Sequence, residues 1–161
     1  MDYEVQKTAR TCSVSGREIA PGETFYSVLV RDGAAVKRVD FAADAWTEPP
    51  PDAIGWWKST MVGRDAKKAK LAPSEVLLEL FRELQESVER RELRYVLTLL
   101  LIRRRLLRLE ETVEEDDGGE TLVLYCARDE QTYRVPVVVP DKTRADEIQT
   151  YLAQLLYQPV A

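Results

Sequence analysis

Two cysteines carry the spacing in this sequence that is most typical of metal chemistry. Cys12 and Cys126 are the only cysteines, and each is followed three positions later by another potential ligand, Ser15 or Asp129. Two ligands separated by two residues can hold one metal ion from a single turn of chain, which is how thiolate sites are built. The pattern therefore indicates two metal-binding turns in which the second thiolate has been replaced.

These two turns, residues 12–16 and 126–129, resemble the knuckles of zinc ribbons. In that family each of two Cys-x-x-Cys turns supplies two sulfurs to a tetrahedral zinc ion. The resemblance implies a ligand set of Cys12, Cys126, Asp129 and, as a poor fourth ligand, Ser15. Structural zinc sites rely on Cys and His, so replacing two thiolates by a hydroxyl and a carboxylate favours knuckles that hold no metal.

Three interpretations of the cysteines remain open. The favoured one is two small buried side chains, since free cysteine is among the residue types most often buried. A disulfide between Cys12 and Cys126 requires their Cα atoms to lie within about 7 Å, and a reducing compartment disfavours it. Residual structural zinc at Cys12, Cys126 and Asp129 is the third interpretation.

The composition excludes most familiar catalysis. The chain contains no histidine, which removes the commonest general base, the usual zinc imidazole and every histidine-containing triad. Carboxylates are abundant in residues 110–120, but that run resembles an exposed turn, without EF-hand spacing and without two contrasting environments in a cleft. We therefore predict that the protein is not an enzyme and uses no cofactor.

Three tryptophans form the most distinctive aromatic group. Trp46, Trp56 and Trp57 lie within twelve residues of one another and flank the prolines at 49–51. Clustered aromatic rings often build the hot spots of protein interfaces, so these residues are the candidate interaction site. The alternative is that the rings fill a gap between a sheet and helices, and the general burial of large aromatics favours it.

The net charge of −5 hides an asymmetry along the chain. Residues 61–108 hold twelve basic and seven acidic residues, whereas residues 109–120 hold seven acidic and no basic residues. The basic side chains could contact nucleic-acid phosphates, which makes a nucleic-acid accessory protein the second candidate function. Its candidate contacts are Lys67, Lys68, Lys70, Arg103, Arg104 and Arg105. The acidic total and the neighbouring acidic run argue against this function.

The secondary structure that must position these residues indicates a single α+β domain over residues 1–161. Its predicted parts are an N-terminal β part (1–60), a basic connection (61–72), a helical pair (73–105), a β-meander (106–139) and a C-terminal helix (141–158). The first part contains a strand near residues 3–8 and a hairpin of 24–30 with 35–41, which Asp32-Gly33 separates. The first helix of the pair carries one apolar face that reaches Val88, and the second is apolar nearly all round over 95–102. The last helix, 143–157, carries a single apolar stripe of Ile148, Tyr151, Leu152, Leu155 and Leu156.

Compartment and partners follow from the same counts. Two cysteines and an acidic N-terminus favour a cytoplasmic protein, and the longest apolar stretch is too short to span a bilayer. Residues 55–59, 94–97 and 122–126 resemble a family of small bacterial proteins of unknown function, which implies no activity. We therefore predict a non-enzymatic protein-interaction or scaffold module on metal-free knuckles, with another protein as its partner.

Overall fold

The computed structural model describes residues 11–33, 35–62, 70–85 and 87–158. These residues form three α-helices and two three-stranded antiparallel sheets, which confirms the α+β class. They divide into two compact units, one of residues 80–149 and one of residues 11–79 with 150–158. The organisation as a single domain stays a prediction, and the strand expected at 3–8 lies outside the described residues.

The first sheet contains β1 (Thr24–Asp32), β2 (Ala35–Ala42) and β3 (Ala53–Thr60) in the order β2-β1-β3. The predicted hairpin is β1–β2, in which Phe25 pairs with Ala42 and Asp32 with Ala35. Gly33 sits in the turn with a φ of 62°, a left-handed conformation that favours glycine. The hairpin prediction is confirmed, because alternating apolar residues around an Asp-Gly turn specify both the strands and their register.

Three helices accompany the sheets. They are α1 (Ser74–Glu83), α2 (Arg91–Arg103) and α3 (Lys142–Leu156). The helical pair and the C-terminal helix are confirmed, but the expected extension of the first helix to Val88 is wrong. Helix α1 ends at Glu83, and Val88 begins a short 3-10 turn in which its side chain is 68% exposed.

Helix α2 differs from the expected helix that is apolar on every side and buried all round. Its buried residues are Leu93, Arg94, Leu97, Thr98 and Leu101, which form one stripe at helical spacing. Leu99 lies off that stripe and is 41% exposed. The sequence run 95–102 therefore overstates the burial, because apolar residues on the outer side of a helix are common at protein surfaces.

The third strand of the first sheet, β3, is absent from the sequence-based prediction. Gly55 interrupts its short apolar run, and glycine weakens a strand signal. The structure gives this glycine a packing reason: a Cβ atom there would lie 3.1 Å from the Glu79 carboxylate and 3.6 Å from Val76 on α1. The register of β3 with β1 also shifts between Leu29 and Val30, which breaks the simple alternation of side chains.

The second sheet contains β4 (Arg108–Glu114), β5 (Glu120–Cys126) and β6 (Gln131–Pro136) in sequential order. This is the predicted meander, with tight turns at Asp116–Gly119 and at 127–130. Strand β5 alternates buried and half-buried residues from Leu122 to Cys126, whereas β4 is exposed at every position except Val113. The acidic run therefore lies on an exposed edge strand and the turn that follows it.

The register of the first sheet shows which side chains share its buried face. Phe25, Ser27 and Leu29 on β1 point to one face and are buried, and the helix α1 residues beside Gly55 pack on that face. Phe25 also joins a core cluster with Cys12, Ile19, Ala42 and Met61. The stripe predicted for α3 is confirmed, since all five of its apolar residues are buried.

A buried polar group lies on the same face of the first sheet. The Arg38 guanidinium is 3.4 Å from the Asp40 carboxylate, and their side chains are only 5% and 7% exposed. The Ser27 hydroxyl donates to the same carboxylate at 2.6 Å, and Arg38 also donates to the backbone carbonyl of Tyr157. This group ties two strands to the segment that follows α3.

Candidate functional site

An aromatic cluster lies on the opposite face of the first sheet from this polar group. Strand pairing sets Tyr26 across from Phe41 on β2, and Val28 across from Trp56 on β3. Directly paired residues project to the same side of a sheet, and so do residues two apart on one strand. Tyr26, Phe41 and Trp56 therefore share one side, and Trp46, just after a 3-10 turn at Ala43–Ala45, contacts all three. We call these four residues the aromatic face.

The rings of the aromatic face contact one another in a fixed arrangement. Tyr26 and Trp46 are stacked, with centroids 4.5 Å apart and planes at 5°. Phe41 meets Trp46 edge-on at 5.4 Å, and Trp56 lies 5.5 Å from Trp46 and 6.1 Å from Tyr26. Stacked and edge-to-face pairs each add about 0.5–1.5 kcal/mol beyond area burial, so the cluster is preorganised.

The three predicted tryptophans divide between the two faces. Trp56 is 45% exposed and Trp46 is half-buried, whereas Trp57 is 8% exposed and projects to the buried face with Ser27. Trp57 thus fits the alternative in which a ring fills the interior, while Trp46 and Trp56 fit an accessible site. Tyr26 and Phe41 were not among the predicted site residues, and only their strand positions in a correct register would have found them.

Two lysines border the aromatic face. Lys58 pairs with Tyr26 and is exposed, and Lys37 pairs with Val30 on the same side and is half-buried. Nearby acidic side chains include Asp44, which forms an ion pair with Arg17 at 3.2 Å. The surface beside the exposed ring of Trp56 is therefore positively charged at Lys58.

The first cysteine turn has the hydrogen-bond geometry that its resemblance to a knuckle implies. Thr11 and Glu18 form an antiparallel bridge, and the Gly16 N–H donates to the Cys12 carbonyl at 2.9 Å. Burial of the Cys12 thiol raises its pKa, but the Ser15 hydroxyl and the backbone N–H groups of Ser15, Ala42 and Val14 donate to the sulfur. Their combined effect lowers the pKa of Cys12 to about 7.

This thiol gives a testable pH dependence. A group whose folded-state pKa is depressed adds stability above its unfolded pKa, and that stability is lost as pH falls through the folded value. The pKa of Cys12 falls from 9.0 to about 7, so its contribution to the free energy of unfolding should grow across that interval. Urea denaturation at several pH values should show this rise in a Cys126→Ala protein. The rise should vanish when Cys12→Ser is added, and an unchanged rise would contradict the assignment.

The second cysteine turn places Asp129 in a different kind of network. The Asp129 carboxylate accepts hydrogen bonds from the Tyr133 hydroxyl, from the Arg82 Nε at 3.2 Å and from the Gln131 backbone N–H at 3.1 Å. Burial raises the pKa of Asp129, but donors that include the Tyr133 hydroxyl, the Cys126 thiol and Arg82 lower it below its usual value. This carboxylate already has internal partners, which makes it a poor candidate for metal binding.

No metal centre forms from the side chains that the structure describes. Among them, no group of three or more His, Cys, Asp or Glu residues is placed to hold an ion. Cys12 and Cys126 are both buried free thiols, each within its own compact unit. Their predicted burial is confirmed, while residual zinc at Cys12, Cys126 and Asp129 stays a prediction with no described cluster behind it.

The described basic residues that were predicted to contact phosphates belong to different compact units. Arg103, Arg104 and Arg105 are exposed where α2 ends, and Lys70 is exposed in the other unit. Lys67 and Lys68 lie outside the described residues. The nucleic-acid function therefore stays a prediction.

Comparisons of this chain with protein-family models, curated proteins and solved structures find no match. The resemblance to small bacterial proteins therefore stays a prediction. In the described segments, no helix is both long and apolar enough to cross a membrane.

Proposed function

We propose that this chain is a non-enzymatic protein-interaction module that binds its partner through the aromatic face. The observation that carries the proposal is Trp56, whose side chain is 45% exposed although it contacts Tyr26 and Trp46. Tryptophan is enriched in interface hot spots because it buries a large area with few rotatable bonds. An exposed ring that is held by two others is suited to bind an apolar side chain of another protein.

The rigidity of the aromatic face supports this proposal. Binding loses free energy whenever interface side chains must be ordered, by about 0.5–1.5 kcal/mol for each flexible one. Here Tyr26 and Phe41 are fixed on paired strands, and Trp46 packs against both of them. Folding therefore already restricts the Trp56 side chain, so little further conformational entropy is lost when a partner binds.

The neighbouring charge indicates the chemistry of the partner. Lys58 lies beside Tyr26 on the exposed side of β3, two residues from Trp56. A carboxylate on the partner would meet this ammonium at the border of the apolar contact, where complementary charge adds specificity. The expected partner is an acidic protein segment with an apolar or aromatic side chain that packs on Trp56.

Replacing Trp56 by alanine should weaken partner binding at least about tenfold, as truncation of a hot-spot ring does. The measurement uses random peptides displayed on phage and selected on the immobilised full chain. The best peptide is then titrated, with a fluorescent label, against the native chain and the Trp56→Ala variant. Lys58→Glu should weaken binding of the same peptide by a smaller factor, and this factor should grow at low ionic strength.

Leu109→Ala provides the matched control, because Leu109 is 44% exposed but lies on β4 in the other unit. It should leave peptide affinity unchanged. An equal loss of peptide affinity in both variants would contradict the proposal, and so would selected peptides that bind Trp56→Ala as tightly as the native chain. Preferential binding of single-stranded RNA through Trp56 would also overturn it, in favour of base stacking on the rings.

A further inference from the structure

Strand β3 forms one edge of the first sheet. In the order β2-β1-β3, it pairs with β1 on one side, and no described strand pairs with its other side. Successive residues of an antiparallel strand direct their backbone N–H and C=O groups alternately toward the paired strand and away from it. The Met61 N–H donates to the Glu23 carbonyl at 2.8 Å, on the side of β1. The preceding alternate residues, Thr60, Lys58 and Trp56, therefore direct their backbone groups to the outer edge.

One end of this outer edge is covered by a side chain. The Gln158 amide accepts a hydrogen bond from the Val62 N–H at 3.3 Å and donates one to the Thr60 carbonyl at 2.9 Å. A neighbouring strand would supply the same two kinds of bond, one accepted and one donated. Gln158 is buried, so it takes the place of a neighbouring strand at the end of β3.

The opposite edge of the sheet, on β2, also has hydrogen-bond partners from outside the sheet. The Tyr151 hydroxyl accepts from the Val36 N–H at 2.9 Å and donates to the Val36 carbonyl. The Ser13 N–H donates to the Asp40 carbonyl at 2.8 Å. Exposed strand edges readily pair with other chains, and folded proteins usually cover them in such ways.

The outer edge of β3 is left open at Trp56 and Lys58. In the described part of the chain, the outward N–H and C=O groups of these two residues have no hydrogen-bond partner. Both residues are exposed, and their side chains project to the side of the aromatic face. The open part of the edge is therefore continuous with the exposed ring of Trp56 and the charge of Lys58.

We propose that the partner binds as an added β-strand along Trp56 and Lys58, an inference that rests on the proposed function of the aromatic face. In strand addition, main-chain hydrogen bonds provide affinity and alternate side chains provide specificity. Here the added strand bonds the outward N–H and C=O groups of both residues. Its alternate side chains then lie on the aromatic face, beside the ring of Trp56.

The spacing of Trp56 and Lys58 specifies the sequence of the partner. The two residues are two positions apart, so the partner residues that face them are also two positions apart. Opposite charges across a strand pair are favourable, and aromatic rings pair well with aromatic or β-branched side chains. The partner is therefore an extended acidic segment in which Asp or Glu stands two positions from an aromatic or β-branched residue. A second copy of this chain fits less well, because its β3 would bring another Lys58 to the same edge.

Backbone N-methylation of the phage-selected peptide tests strand addition on the full native chain. Each peptide residue is N-methylated in turn, which removes its N–H and keeps its side chain, and each product is titrated by fluorescence. Affinity should fall at least about fivefold at alternate residues, whose N–H groups face β3, and less than about twofold at the residues between them. Losses without a period of two, or no loss at any residue, would overturn strand addition. Binding that still depends on Trp56 would in that case leave the proposed function intact.

Lys58→Pro and its matched control Lys58→Thr test the same edge from the side of the protein. Both variants remove the charge, but only proline removes the outward N–H, and a strand edge accepts proline where the N–H faces solvent. Lys58→Pro should bind the peptide at least about threefold more weakly than Lys58→Thr does. Equal affinities of the two folded variants would overturn strand addition, and if Lys58→Pro does not fold, the N-methylated peptides decide.

Two further outcomes would overturn the inference. A selection that yields no peptide dependent on Trp56 would remove the proposed function and strand addition together. Sedimentation equilibrium tests the second copy as occupant. A dimer of the native chain that dissociates in the Lys58→Pro variant but not in Lys58→Thr would show that β3 pairs with another copy of itself.

Discussion

Replacing Arg38 by methionine should lower the free energy of unfolding by about 3–5 kcal/mol, as expected when one partner of a buried ion pair is removed. The variant leaves the Asp40 carboxylate, which is 7% exposed, without its charged partner, and among the described residues the Ser27 hydroxyl remains as its side-chain donor. It also removes the donor to the Tyr157 carbonyl, which ties β2 to the chain after α3. Urea denaturation of the native chain and the variant measures the difference.

The penalty of Arg38→Met should depend on pH. Burial raises the pKa of Asp40 above its usual 3.8, while the charge of Arg38 and the Ser27 hydrogen bond lower it. Without Arg38 this pKa rises further, and a raised folded-state pKa means that stability is lost as pH rises through it. The penalty should therefore shrink as pH falls and the Asp40 carboxylate takes up a proton.

A double variant separates the ion pair from simple loss of packing. Arg38→Met with Asp40→Leu removes both charges, and such replacements of a buried pair are often close to neutral. Most of the lost stability should therefore return in the double variant. A single-variant penalty below about 1 kcal/mol, or one that does not change with pH, would show that the pair is solvated and the interpretation wrong.

Replacing Trp57 by alanine should cost about 3–5 kcal/mol, the usual range for deleting a buried aromatic side chain. Trp57 is 8% exposed and pairs with the buried Ser27 on the face of the first sheet that packs on α1. Its removal leaves a cavity under β3, which the pairing of that strand with β1 holds open. Thermal or urea unfolding measures the loss directly.

Trp56→Ala is the matched control on the adjacent residue. Trp56 projects to the other side of β3 and is 45% exposed, so its removal should cost less than about 1.5 kcal/mol. A similar loss in the two variants would mean that the aromatic face is part of the core, and it would also remove the basis of the proposed binding site. The pair of variants therefore tests the division of the tryptophans before any partner is known.

Local patterns were sufficient for much of the fold. The Asp32-Gly33 turn predicted the β1–β2 hairpin, and the apolar stripe from Ile148 to Leu156 predicted α3, because each signal involves neighbours in sequence. The meander followed for the same reason. Strand β3 was not predicted, because Gly55 weakens the strand pattern. The glycine is needed there because α1 approaches the strand closely.

Candidate sites depended more strongly on contacts between distant residues. The sequence grouped Trp46, Trp56 and Trp57 by proximity, but alternation along β3 sends Trp56 and Trp57 to opposite faces. The sequence did not indicate Tyr26 or Phe41 as site residues, because only the pairing of the strands brings them next to the tryptophans. The second cysteine turn shows the same limit, because Arg82, 47 residues from Asp129, is one of its partners.

The sequence by itself determined the α+β class, the hairpin, the meander and the amphipathic helices, because turn residues and apolar periodicity act over a few positions. Tertiary structure alone decided that Arg38 and Asp40 form a buried pair and that Trp56 is exposed beside stacked rings. Burial and partnership are properties of packing between distant segments, and so they arise only when the chain has folded.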